Sequence, residues 1–96
     1  MVKGYWMFHT TITDPDTYQR YVERDAEAFD KYGARFLARG GDFVPVEGSA
    51  RQRHVIIEFE SYETALACYR SAEYQAASEF RRAAAITDLV IINGAS

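Results

Sequence analysis

The apolar segments of this 96-residue chain follow one another in the order strand, helix, hairpin, helix, strand. A βαββαβ order with right-handed crossovers predicts one antiparallel sheet, with two helices on the same face. The strands are apolar on both faces, whereas the two helices cover only one of them. We therefore expect the other face to pack against a second copy of the chain, so that its few polar residues line a closed cavity.

Four segments have the residue types of β-strands, being rich in β-branched and aromatic side chains. The last of them is nearly continuous in Leu, Val and Ile, which is typical of a strand buried on both faces. A short arm at residues 43–47 follows a Gly-Gly pair typical of hairpin turns, and Pro45 restricts this arm to an edge or an irregular strand. The four strand segments are residues 4–12, 34–39, 53–60 and 86–93.

Two helices are predicted between these strands. The first begins after Asp14, which is a good N-cap, and ends at Gly33, which suits a left-handed C-terminal position. The second covers residues 62–84 and carries apolar side chains at helical spacing. Because Ser61 and Ser71 are both suitable N-caps, this second helix is expected to be broken near Arg70-Ser71.

Length, composition and charge indicate a single domain over residues 1–96. The net charge of −3 argues against a nucleic-acid or anionic-membrane partner, because both require clustered Lys and Arg. Residues 1–12 lack a signal-peptide pattern, and no apolar run is long enough to span a bilayer, so the expected location is cytoplasmic. Cys68 is the only cysteine and is interpreted as a small apolar core residue.

Alternation along the strands places a few polar side chains on the uncovered face. His9 lies in the middle of its strand and could act as an acid or base near neutral pH, or be satisfied by hydrogen bonds in a packed interior. Arg39 would aim a guanidinium into an apolar cavity, which requires a carboxylate from a ligand or from Glu58. The predicted catalytic residues are His9 and Arg39, and the predicted ligand-binding residues are Tyr5, Arg35, His54 and Glu58.

No pair of His or Cys residues has metal-ligand spacing, and the phosphate-binding loop motif is missing. The sequence therefore predicts neither a metal nor a cofactor. Haem binding is an alternative that would need an axial ligand, and His9 is the candidate for that role.

Short motifs along the whole chain resemble the domain of unknown function 1330 family. The resemblance implies a ferredoxin-like fold in which two sheets close around an internal cavity, a dimeric α/β barrel. Better-understood members of that wider group include cofactor-free monooxygenases, isomerases and haem-handling enzymes, an analogy at the level of the fold. The motifs are residues 3–6, 13–18, 36–41, 46–48, 55–59, 69–71 and 73–77.

The expected function is a homodimer that binds a small anionic or carbonyl-bearing molecule between its sheets. If a reaction occurs, His9 would transfer a proton and Arg39 would stabilise negative charge on an oxygen, as in isomerisation or cofactor-free oxidation. The alternative is a non-catalytic dimeric module that binds a metabolite or acts as a scaffold. In that case His9 and Arg39 would be satisfied by each other or by Glu58.

Overall fold

A computed structural model describes residues 2–96. The four strands form one sheet in the order β2-β3-β1-β4, and every neighbouring pair is antiparallel. The helices lie against one face of this sheet, so the predicted α+β, ferredoxin-like fold is confirmed. The elements are β1 (Gly4–Ile12), α1 (Pro15–Lys31), β2 (Arg35–Arg39), β3 (Arg53–Phe59), α2 (Tyr62–Arg70), α3 (Ala72–Ala84) and β4 (Ala85–Asn93).

Side-chain caps define where the helices begin. Asp14 accepts a hydrogen bond from the backbone N–H of Thr17 at 3.3 Å, and Ser61 caps α2 in the same way. The Ser71 hydroxyl donates to the carbonyl of Cys68 at 2.7 Å and accepts from the backbone N–H of Tyr74 at 3.1 Å. Ser71 therefore closes α2 and opens α3, which confirms the predicted break.

The core lies between the helices and the inner face of the sheet, and Trp6 is at its centre. Trp6 is fully buried and donates its indole N–H to the carbonyl of Ala65 at 2.8 Å. Its ring packs edge-on against Phe29 and Tyr74, with centroid distances of 5.3 and 4.8 Å. Burial of large aromatic side chains contributes about 1.5–3 kcal/mol each. This packing holds the helices firmly on one face of the sheet.

The predicted strand at residues 43–47 is wrong. No strand forms between β2 and β3, and β2 pairs directly with β3 instead. Val44 and Val46 are 80% and 84% exposed, and Pro45 has no N–H to donate to a ladder. Because this segment buries no apolar side chains and lacks one backbone N–H, it does not form a strand, and residues 40–52 are a long connection.

The strict alternation expected in β2 is also wrong, because the strand contains a bulge. Phe36 lies opposite Ile57, but the next paired residue is Ala38 opposite Ile56, so Leu37 is an extra residue. An extra residue reverses the faces of everything that follows it. Arg39 consequently lies opposite the buried Val55, on the helix side of the sheet.

The other face of the sheet, called here the outer face, has no covering layer among residues 2–96. Its side chains alternate with the core residues of β1, β3 and β4, and four large apolar ones are 47–56% exposed. In the single chain, the last strand alternates between half-buried and exposed positions. No helix within residues 2–96 is long and apolar enough to cross a bilayer. The four exposed apolar residues are Met7, Ile86, Val90 and Ile92.

Candidate functional site

The strand register brings three titratable side chains together on the outer face. His9 of β1 lies directly opposite His54 of β3 on one side and opposite Asp88 of β4 on the other. The Nε2 atom of His9 is 3.4 Å from Oδ2 of Asp88, an ion-pair distance slightly longer than a good hydrogen bond. The two imidazole rings are 5.6 Å apart between centroids. We call these three residues the His-His-Asp cluster.

Arg51 anchors this cluster from the connection between β2 and β3. Its Nε donates to Oδ2 of Asp88 at 2.8 Å, and its Nη1 donates to the Thr11 hydroxyl at 3.3 Å. The hydrogen bond from Arg51 lowers the pKa of Asp88 below the usual range, and the positive charge acts in the same direction. Asp88 is therefore a carboxylate at neutral pH, able to orient or stabilise a protonated His9.

The backbone and one aromatic ring hold His54. Its Nε2 lies 3.0 Å from the carbonyl of Arg51, which can only accept, so this nitrogen carries the proton. In a neutral imidazole with this tautomer, the other ring nitrogen, Nδ1, is an acceptor. The Phe43 ring packs on the imidazole with a centroid distance of 4.4 Å, so part of the long connection covers the edge of the site.

A shallow cavity of about 330 Å³ lies over the cluster. Its volume is at the lower end of the range of small-molecule sites, about 300–1,000 Å³. Its walls are mostly apolar, with polar groups at one end. The lining residues are Met7, Phe8, His9, His54, Val55, Ile56, Asp88 and Val90.

Three of the other predicted ligand-binding residues come together at the far end of the same face. Tyr5 lies opposite Glu58, and its hydroxyl donates to Oε2 of that carboxylate at 3.3 Å. Arg35, also opposite Glu58, places Nη1 4.0 Å from Oε1 and is mostly exposed. The facing pair Met7 and Ile56 separates this polar group from the His-His-Asp cluster.

The prediction that Arg39 lies beside His9 on the outer face is wrong, because the bulge at Leu37 turns Arg39 to the helix side. The guanidinium carbon of Arg39 lies 4.0 Å from the centroid of the Phe36 ring, on the helix side. Its positive charge acts there on Asp25 of α1. The predicted catalytic pair is therefore divided between the two faces of the sheet.

Sequence reasoning missed Asp88, which belongs to the cluster, and Arg51, which anchors it. Asp88 is the only charged residue in β4, and its antiparallel pairing with His9 could have revealed it. Arg51 lies in the connection, outside any regular element, and no periodic pattern indicates where its side chain points. Within residues 2–96, no group of three or more His, Cys, Asp or Glu side chains is arranged to hold a metal ion.

A third residue, Asp25, was missed on the helix side. It is only 4% exposed, and burial raises the pKa of its carboxyl to about 7 despite the opposing charges of Arg39 and Arg53. Its spacing gave a signal, because Asp25 lies four residues after Tyr21 and four before Phe29, on the buried stripe of α1.

Several solved structures are similar to this chain. The RPA0582 protein of unknown function from Rhodopseudomonas palustris has a TM-score of 0.79 at 15% identity, with 99% of this chain and 84% of that chain covered. SnoaB, a cofactor-independent oxygenase from Streptomyces nogalater, has a TM-score of 0.66 at 8% identity, covering 100% and 96%. A dimeric ferredoxin-like protein of unknown function from Thermobifida fusca has a TM-score of 0.54 at 15% identity, covering 99% and 92%.

At these identities the structures show a shared fold and nothing more specific. No curated protein matches the sequence. The family described as "Domain of unknown function (DUF1330)" matches residues 3–95, nearly the whole length. The chain belongs to the DUF1330 family.

Proposed function

We propose that this protein is a homodimer that binds a small anionic or carbonyl-bearing molecule between its two sheets and transfers a proton at that site. The observation that carries the proposal is the His-His-Asp cluster, which lies beside exposed apolar side chains on the uncovered sheet face. Exposed apolar patches of this kind mark interfaces. When two copies pack face to face about a twofold axis, the patch of each copy is buried against that of the other. The titratable groups then lie in a closed cavity.

His9 is the proposed acid or base. With Nε2 directed at the carboxylate of Asp88, the Nδ1 atom of its ring is available to accept a proton from a bound molecule. The resulting imidazolium is stabilised by the Asp88 carboxylate, which Arg51 keeps ionised. Proton removal from a carbon next to a carbonyl is the simplest reaction for this arrangement.

Arg51 takes the place that the sequence assigned to Arg39. Negative charge developing on a substrate oxygen needs a cation or a donor on the outer face. Hydrogen bonds to Asp88 and Thr11 hold the Arg51 guanidinium on that face. Arg39 lies behind the sheet and is given no part in the reaction.

Two similar structures support the class of function. SnoaB is named a cofactor-independent oxygenase, and the Thermobifida fusca protein is named dimeric. A fold hosts many activities, so these likenesses add weight to a cofactor-free reaction without indicating its substrate.

A non-catalytic metabolite-binding or scaffold module is the second candidate. The polar group at the far end of the face favours it, because Glu58 already accepts a hydrogen bond from Tyr5 and lies near Arg35. Such internal satisfaction is typical of a structural role. On this reading Glu58 is a structural partner rather than a ligand-binding residue.

Native mass spectrometry of the purified protein tests the assembly and the ligand together. We expect a mass of two chains plus a reproducible small excess, which extraction would identify. His9→Gln should keep the dimer and lose the excess, whereas Gln19→Ala, an exposed change on α1, should keep both. A monomer, or undiminished ligand in His9→Gln, would contradict the proposal.

Hydrogen–deuterium exchange at carbon separates catalysis from simple binding. The extracted molecule, incubated with the protein in heavy water, should gain deuterium next to its carbonyl, and His9→Gln should abolish this gain. Binding without any exchange at carbon would favour the non-catalytic module.

A further inference from the structure

A second groove lies on the helix side of the sheet, between α2, α3 and strand β4. It has a volume of about 670 Å³, and none of its lining residues also lines the cavity on the outer face. It is lined by Leu66, Tyr69, Arg70, Arg81, Arg82, Thr87, Leu89 and Ile91.

The lining of this groove is amphipathic. Leu66 of α2 and the strand residues Leu89 and Ile91 form an apolar wall. The cationic residues come from the last turns of the two helices, Arg70 in α2 and Arg81 and Arg82 in α3. No acidic residue is among the described residues that line the groove, although the protein as a whole is acidic.

Arg81 is the most unusual of these cations because it is 6% exposed. Its Nε donates to the Tyr74 hydroxyl at 3.3 Å, and that hydroxyl shares a 2.8 Å hydrogen bond with Tyr21. Burial raises the pKa of Tyr74, so the phenol stays neutral and supplies no negative charge. Across residues 2–96, no carboxylate forms an ion pair with Arg81.

A buried guanidinium without a carboxylate partner is costly, because arginine stays protonated at every relevant pH. The carbonyls at the end of α3 carry only about half a negative charge and could be complemented equally well by an exposed arginine. Arg81, whose guanidinium carbon also lies 5.9 Å from the Tyr21 ring centroid, has no carboxylate partner among residues 2–96, so its positive charge at the cavity wall is available to an anion from outside the chain.

We propose that this groove is a second binding site, selective for a small organic carboxylate with an apolar tail. The tail lies on Leu66, Leu89 and Ile91, and the carboxylate pairs with Arg81. Arg70 and Arg82, at the exposed rim, add positive charge that attracts the anion. This proposal is independent of the outer-face function because the two sites share no residue.

Amide NMR titration of the whole protein with three eight-carbon probes tests the proposal. Octanoate should give saturable shifts at Leu66, Thr87 and Leu89, whereas octanol and octylammonium should bind about tenfold more weakly or not at all. Equal affinity for octanol, shifts confined to His9 and Ile56, or no binding of octanoate would each overturn it. Shifts at His9 alone would instead assign the carboxylate to the outer-face cavity.

Variants identify the anion partner. Arg81→Met keeps apolar bulk and should weaken octanoate at least about tenfold. The double variant Arg70→Gln/Arg82→Gln changes only exposed side chains and should weaken octanoate binding at least about threefold. If Arg81→Met fails to fold, the double variant tests the proposal in its place. Arg20→Gln, an exposed change on α1, is the control and should bind octanoate normally. Unchanged binding in the folded groove variants would overturn the proposal.

Discussion

The positive charge of Arg53 in β3 acts on the buried carboxyl of Asp25 in α1, and each of these residues has one buried polar atom without a hydrogen-bond partner among residues 2–96. These atoms are Oδ1 of Asp25 and Nε of Arg53. The positive charges of Arg39 and Arg53 favour ionisation of Asp25, but neither forms an ion pair with it. Burial is the larger effect, and it raises the pKa of Asp25 to about 7.

The raised pKa of Asp25 predicts that the protein loses stability as the pH rises from about 4 to 7. The unfolded chain releases the Asp25 proton near the ordinary value of 3.8, whereas the folded chain retains it up to about 7. Below pH 4 Asp25 is protonated in both the folded and the unfolded state. Above pH 7 the loss in the free energy of unfolding is complete and amounts to about 4 kcal/mol at most. Asp25→Asn should remove this loss, so its stability advantage over the wild type should grow with pH.

Urea unfolding at several pH values checks this expectation. Groups whose pKa is lowered in the folded chain, such as Asp88 and Glu73, make the protein more stable as the pH rises. Their effect falls below the pH at which Asp25 titrates in the folded chain. A stability difference between Asp25→Asn and the wild type that stays constant from pH 4 to 8 would contradict the explanation.

Val90→Asp should convert the proposed dimer into a monomer. Val90 is 56% exposed in the single chain and lies opposite Met7, near the middle of the outer face. A carboxylate buried there without a partner costs several kcal/mol in each copy. Sedimentation analysis should therefore give one chain for Val90→Asp and two for the wild type.

Ala26→Asp is the control for this experiment, because it adds the same charge at an exposed position on α1. It should remain dimeric. Should Val90→Asp also remain dimeric, the outer face is not the interface.

Arg51→Gln should raise the pKa of Asp88 towards its ordinary value of 3.8. The substitution removes the Nε hydrogen bond and the positive charge that together stabilise the carboxylate. Carbon-detected NMR titration of the Asp88 carboxyl measures the change directly. Arg35→Gln, which alters an arginine near Glu58 on the same face, should leave Asp88 unaffected, and equal effects of the two variants would exclude a specific role for Arg51.

Gly40→Ala should destabilise the protein more than Gly33→Ala. Both glycines are left-handed, with φ of +69° and +67°, so each alanine costs about 1–2 kcal/mol for the backbone alone. A Cβ at Gly40 would also overlap the Arg53 guanidinium, whereas one at Gly33 meets nothing. Urea unfolding should show the larger loss for Gly40→Ala, and equal losses would mean that Arg53 moves aside freely.

The element order, the helix caps and the break at Ser71 follow from the sequence because they depend on local chemistry. Capping hydroxyls, left-handed glycines and apolar periodicity act within a few residues of one another. The same locality explains the wrong strand at residues 43–47. Alternating Val44 and Val46 looked like a strand, but only the tertiary structure shows that β3 already occupies the place beside β2.

For the candidate site, the sequence determined that His9 and His54 lie on the outer face, because strict alternation holds along β1 and β3. The tertiary structure decided which residues join them. Pairing across strands distant in the sequence brought Asp88 to His9, and one extra residue at Leu37 turned Arg39 to the helix side. Periodicity records which face a residue occupies, whereas register and bulges come from packing between strands far apart in the chain.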